Sequence, residues 1–226
     1  MPRRPGRPPG NATLLTRGEI FAAALRLIDS DGVAALSMRR LAQALNVDPM
    51  AIYHHVAGKD ALLAGVVESV FQELATPSTP DEDWCTQIRA FAHAYRALAR
   101  RHPNLVVELI TRTDVAPEVI QRTNEALYAA LLRSGLAPRR VLAAADLLID
   151  FIHGYELAEE TDKLMTLQAR QAELQALVQR TPAQYPAHAE VAAGLANEEE
   201  ESAFDAELSI ILAGVAALSG DSRCQQ

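Results

Sequence analysis

A chain of 226 residues with 49% hydrophobic and 22% charged side chains has the balance of a folded protein, which excludes disordered and fibrous classes. Aromatic residues make up only 5%, while Ala and Leu abound, so helical packing is favoured over a β-rich fold. The formal charge of -8 argues against indiscriminate attraction to nucleic acid, yet the first 60 residues hold eight basic and five acidic side chains, net +3 against -11 for the rest. A basic head on an acidic body is what a phosphate-binding module joined to something else would show. Cys85 and Cys224 lie far apart without metal-ligand spacing, so no disulfide framework or zinc site is read and reduced thiols are expected. The arginine-bearing N-terminus lacks an apolar signal segment, and no apolar run approaches the ~18 residues of a membrane span. The expectation is a soluble, cytoplasmic protein without membrane contact.

In chain order, residues 1–14 read as a flexible basic arm rich in Pro, Gly and Arg. Thr16 and Glu19 form an S/T-x-x-E capping box that opens a first helix, with Ile20, Ala24, Leu27 and Ile28 on one face and Gly32 as its stop. Ser37 caps a second, short helix lined by Met38, Leu41, Ala42 and Leu45. Asn46 suits a left-handed turn, and Asp48 before Pro49 is a strong start signal for a third helix, Pro49 to about His55. After Gly58 comes a long apolar helix with Leu62, Leu63, Val66, Val67, Val70, Phe71 and Leu74. Thr76-Pro77-Ser78-Thr79-Pro80 marks a domain boundary, giving a head at 15–75 and a body at 76–220, with 221–226 as a tail.

In the body, Trp84, Ile88, Phe91, Tyr95 and Leu98 share one helix face that ends at His102-Pro103. Further helices are expected at about 104–112, 117–134, 138–160 and 199–218, and the 162–180 stretch is amphipathic, with Leu164, Leu167, Leu174 and Leu177. Residues 181–197, containing Tyr185-Pro186, read as irregular. No strand pattern, repeat or heptad series is present, and the fold class is all-α.

Two short helices across a three-residue turn form a helix-turn-helix, whose second helix enters the major groove. Its outward residues would be Pro49, Met50, Ala51, Tyr53 and His54, with His55 adjacent. Met50 and Ala51 suit thymine methyl groups, and Tyr53 and His54 suit phosphates or base edges. Arg39 is the candidate for a bidentate guanine contact, beside Ser37 and Met38, and Lys59 suits a phosphate. Arg3, Arg4 and Arg7 are candidates for the minor groove.

The stretches Leu41-Ala42-Gln43-Ala44-Leu45-Asn46-Val47, Ile52-Tyr53-His54-His55-Val56 and Gly58-Lys59-Asp60-Ala61-Leu62-Leu63 resemble the DNA-binding signature of the tetracycline-repressor (TetR) family. The closing Phe204-Asp205-Ala206-Glu207-Leu208 and Ile211-Leu212-Ala213-Gly214-Val215 are similar to the C-terminal helix of its tetracycline-repressor subgroup. The resemblance implies a repressor that binds a near-palindromic double-stranded operator as a homodimer paired through about 138–160 and 199–218. Its two recognition helices would sit about 34–36 Å apart, and a small-molecule inducer would release it. Asn46 stands where many members carry Gly, and the histidine-rich pattern of a tetracycline–magnesium pocket is absent, so tetracycline is not the expected ligand.

Candidate ligand-binding residues in the body are Phe91, Tyr95, His102, Leu109, Tyr128, Asp150 and His153. Asp150 and His153 interrupt an apolar helix, and buried polar groups need partners. A ligand, a bond across a dimer interface or an exposed face would each satisfy them. No cofactor or metal is called for. An enzyme is not expected, since G-x-S-x-G, a phosphate loop, G-x-G-x-x-G and H-E-x-x-H are all missing. An activator, or an architectural DNA binder without a sensor, stays open as an alternative.

Overall fold

The computed structural model describes residues 15–74, 83–112, 115–160, 167–180, 184–195 and 202–220. Arg3, Arg4, Arg7, Leu164, Cys224, the 76–80 boundary and the 221–226 tail lie outside them. Among the described residues there are eleven α-helices and no strand. They divide into two compact units: Met1–Leu74 with Asn104–Arg122, and Ala75–Pro103 with Thr123–Gln226.

In the first unit, α1 (Arg17–Asp31) begins at the expected capping box: the Glu19 backbone N–H donates to Thr16 Oγ1 at 3.2 Å, and Thr16 N–H donates to Glu19 Oε2 at 2.8 Å. Gly32 ends it with φ 77°, and a short 3-10 turn, Val33–Ala35, leads to α2 (Met38–Leu45). Next come α3 (Pro49–Tyr53) and α4 (Lys59–Phe71). Ile20, Ala24, Ile28, Leu41, Ile52, Leu62, Leu63, Val66 and Val67 are essentially removed from solvent. Truncating one of the large ones, such as Ile52 to Ala, would cost ~2–5 kcal/mol. The third helix is shorter than expected: His54 is already its cap, and His55 and Val56 turn back onto Ile52 O.

The segment beginning at Asn104 returns to this head. Asn104 heads α6 (Pro103–Thr111), and its side-chain amide donates to Ile28 O at 3.0 Å and Asp29 O at 3.1 Å. Both carbonyls belong to the last turn of α1, and Ile28 O also accepts from the Gly32 N–H at 2.8 Å. Arg112 reaches Asp60 at 3.3 Å, and Arg122, on α7 (Pro117–Arg133), reaches Glu68 at 3.3 Å; both acids sit on α4.

The second unit contains α5 (Trp84–Arg101), capped by Asp83 whose Oδ1 accepts from Thr86 N–H at 2.9 Å, then most of α7, α8 (Pro138–Glu160), α9 (Leu167–Arg180), α10 (Pro186–Leu195) and α11 (Ala203–Ser219). Its core holds Trp84, Ile88, Leu98, Leu148, Ile152, Phe204, Leu208 and Leu212.

Three expectations are corrected here. Part of the stretch read as irregular is helix α10, because Pro186 occupies its first position, where the missing N–H costs nothing, and Ala187, Ala189, Ala192 and Ala193 continue it. The last helix starts at Ala203 rather than 199: Ser202 has extended backbone, ψ 131°. Cys85 is disulfide-bonded rather than a free thiol. No helix among the described residues is long and apolar enough to cross a membrane.

Candidate functional site

The head presents α3 through a chain of local devices. Asn46 adopts φ 53°, ψ 44°, a left-handed conformation whose N–H closes α2 on Ala42 O and Gln43 O. Asn enters that region at less cost than most residues because its short polar side chain can bond locally. Two residues on, Asp48 Oδ1 accepts from Met50 N–H at 2.8 Å, and Pro49 supplies the first helical φ. Ile52 and Val56 anchor the helix in the core, which turns the opposite face outward: Met50 is 60% exposed and Tyr53 47%. His54 is exposed, whereas Pro49, Ala51 and His55 are half-buried.

On α2 the neighbouring arginines have different fates. Arg40 is tied to Asp31 Oδ2 at 2.6 Å, an oxygen that also accepts from Ser30 Oγ at 2.8 Å. Arg39 is exposed and has no such tie to the helix bundle among the contacts described. Ser37 spends its oxygen on the Arg40 N–H at 3.2 Å, and Met38 beside it is half-buried. Lys59 donates one ammonium hydrogen to Val33 O at 3.0 Å, which fixes the side chain at the start of α4 and leaves two N–H donors.

In the second unit, Tyr95 and His153 meet. The Tyr95 hydroxyl and His153 Nε2 share a hydrogen bond of 2.7 Å between α5 and α8, with donor and acceptor set by the tautomer. Tyr95 is only 5% exposed, and burial pushes its phenol well above the usual range. Burial also lowers the His153 imidazole from its ordinary value, against the weaker pull of negative Asp150. Phe91 stacks on Tyr95 with centroids 5.9 Å apart and planes 9° from parallel. Tyr128 is half-buried on α7, and His102 is the half-buried cap that ends α5. Asp150 is exposed, one stripe away from His153, and Leu109 is buried within the first unit.

Sequence reasoning passed over a second cluster. Arg96 donates from Nε to Glu156 Oε1 at 2.7 Å, and its Cζ lies 4.7 Å from the Tyr155 ring centroid and 4.4 Å from that of Phe204. Phe151 stacks on Phe204 at 5.1 Å, and Tyr155 meets it edge-on at 5.2 Å. The signal available in the sequence was the basic spacing Arg89, His93, Arg96 on one face of α5.

A recognition helix held by a tight turn, with helices and no strand among the described residues and a second unit that joins buried Tyr95 to half-buried His153 between two helices, fits a helix-turn-helix transcription regulator with a helical ligand-binding domain. Residues 20–66 match the family "Bacterial regulatory proteins, tetR family", and residues 76–219 match "Tetracyclin repressor-like, C-terminal domain". The chain belongs to the TetR family of transcriptional regulators. An "HTH-type transcriptional regulator" of Saccharopolyspora erythraea is 31% identical over 96% of this chain and 91% of its own. Apo ActR from Streptomyces coelicolor superposes with a TM-score of 0.70 at 27% identity, covering 92% of this chain and 98% of ActR. The same protein has been solved in complex with actinorhodin, with a TM-score of 0.67 and 28% identity over 92% and 99%. BioQ with its double-stranded DNA operator gives 0.61 at 26% identity over 90% and 99%.

Proposed function

We propose that this chain is a homodimeric repressor that grips a near-palindromic operator through α2 and α3 and releases it when a small molecule enters its C-terminal domain. The observation that carries this is the presentation of α3: a left-handed Asn46, an Asp48 cap and Pro49 hold a helix whose inner residue is buried and whose Met50, Tyr53 and His54 face solvent. Arg39 supplies base readout, Lys59 and Tyr53 hold phosphates, and Arg3, Arg4 and Arg7 reach the minor groove.

The second copy pairs through α8 and α11. Along α11 the exposed residues are Ile210 (73%), Ala213, Gly214, Ala217 and Leu218, a spacing that keeps them on one side of a helix. Along α8 they include Leu142, Leu147, Asp150 and Leu157. Burying each large apolar side chain would contribute ~1.5–3 kcal/mol, and small residues between them allow close approach. Asp150 then belongs to the pairing surface, while Phe91, Tyr95 and His153 line the effector compartment, with His102 and Tyr128 nearer its edges and the Tyr95–His153 bond as its polar anchor.

The test begins with selection of bound duplexes from a random pool, followed by anisotropy titration of the winner. A dimer that binds a twofold-symmetric site, loses affinity steeply with salt and weakens on titration with actinorhodin supports the whole reading. A protein that stays monomeric and selects no duplex refutes it. Selection of a symmetric site with no response to actinorhodin rejects that molecule as the effector.

A further inference from the structure

Arg96 is an unusual residue for the interior of a helical domain. Its side chain is 15% exposed and that of Glu156 9%, so the ion pair is largely withdrawn from water. The guanidinium is also placed against two aromatic rings carried by different helices: Tyr155 on α8 and Phe204 on α11, the latter fully buried. A planar guanidinium is attracted by the faces of aromatic rings, and its fork of N–H donors matches a carboxylate; a lysine offers neither geometry.

Arg96 is one of three rungs between α5 and α11. Arg89 donates to Ser209 Oγ at 3.0 Å, His93 Nε2 lies 2.9 Å from Asp205 Oδ1, and Arg96 lies against Phe204. Positions 89, 93 and 96 recur at helical spacing, and their partners 209, 205 and 204 descend along α11, so the two helices run antiparallel there. The first two rungs join α5 to α11 alone. Arg96 also holds α8, through Glu156 and Tyr155, and therefore ties together the two helices whose outer faces carry the apolar stripes.

We infer that Arg96 is a positioning residue for association of two copies of this chain: it sets the spacing and register of α8 and α11, on which the fit of the pairing surface depends. The inference rests on the pairing face proposed above. Residues on the outer stripes supply the contact area, and Arg96, with its side chain only 15% exposed within the subunit, decides whether those stripes lie in one plane. Shape mismatch of a packed surface is felt at the scale of a methylene group, so a small change in helix spacing is enough to weaken association.

The experiment measures the dimer dissociation constant by sedimentation for the full chain carrying Arg96→Ala, Arg96→Lys, Arg96→Met or Ile210→Glu, with helicity and thermal unfolding recorded for each. Arg96→Ala is expected to weaken the dimer at least about tenfold while keeping a cooperative unfolding transition. Low-millimolar guanidinium chloride, but not equal sodium chloride, is expected to restore it by refilling the space between Tyr155, Phe204 and Glu156. Arg96→Lys should recover only part of the affinity. Wild-type association of Arg96→Ala alongside a dissociated Ile210→Glu overturns the role of Arg96 and leaves the pairing face standing. A loss indifferent to guanidinium overturns it too, as general damage to packing. If Arg96→Ala loses cooperative unfolding, Arg96→Met, which keeps the stem between the rings, carries the measurement: tenfold weakening supports the inference and wild-type association overturns it. Unchanged association of Ile210→Glu removes the pairing face itself, and the inference with it.

Discussion

Replacing Tyr95 by Phe removes one oxygen from a site that is 5% exposed and leaves the ring stack on Phe91 in place. The bond it removes is the 2.7 Å contact with His153 Nε2. Two terms add: the net value of a hydrogen bond, ~0.5–1.5 kcal/mol, and the cost of stranding the partner, ~1–3 kcal/mol when that partner is dry. His153 is half-buried, so water can reach part of the ring and the stranding cost falls toward the lower end. A destabilisation of about 1–2 kcal/mol is expected for Tyr95→Phe. His153→Leu should cost a similar amount by removing the other half of this bond, and the double variant should cost less than the sum by about 1 kcal/mol.

The pair also makes a pH signature. Because burial holds the His153 imidazole below its ordinary 6.5, the folded state prefers the neutral ring. Its contribution is therefore fully present above 6.5 and is lost as pH falls toward the folded value. Urea unfolding followed by circular dichroism at about pH 8 and about pH 5.5, on wild type and His153→Leu, reads this as a difference that carboxylate titration leaves untouched. Strictly additive single variants, or an identical acid sensitivity in His153→Leu, would refute the reasoning.

Other consequences concern DNA binding and the head. Arg39→Ala should weaken the selected operator by ~1–3 kcal/mol per half-site and flatten sequence preference at one base pair, read by competition with single-base variants. Lys59→Ala should instead lower affinity evenly across sequences and reduce the salt slope by about one per subunit; an unchanged slope removes Lys59 from the phosphate set. Asn46→Gly relieves a left-handed non-glycine residue and should raise the unfolding free energy by ~0.5–1 kcal/mol, whereas Asn46→Val should lower it by ~1–2 kcal/mol. Gly65→Ala would place a Cβ 2.2 Å from the Phe21 ring, so that ring must move. The helix-propensity gain of ~1 kcal/mol is offset by an overpacking cost of ~1–3 kcal/mol, and Gly65→Ala should be rescued in a Phe21→Leu background when thermal unfolding is compared.

What could be read from the chain alone was whatever depends on neighbours a few residues away. The Thr16–Glu19 box, the Ser37 and Asp48 caps, the left-handed Asn46 and the proline start of α3 are decided within one helical turn, and each stands in the structure where local chemistry put it. The same locality made Tyr185-Pro186 ambiguous, since proline both breaks helices and begins them, and only α10 shows which.

Tertiary structure alone decided which distant groups share a partner. Spacing marked Tyr95 and His153 separately, but their bond needs α5 packed on α8. Nothing in the residues around Asn104 announces that its amide closes the end of α1, or that Arg112 and Arg122 reach α4. Nor does a basic stripe on α5 reveal that Arg96 lies against two rings, largely withdrawn from water, while exposed His93 one turn earlier meets a half-buried acid. The physical reason is that helix formation is governed by backbone and capping energies over three or four residues. The burial of a charge or polar group, by contrast, is tolerated only where packing from elsewhere in the chain supplies its counterpart.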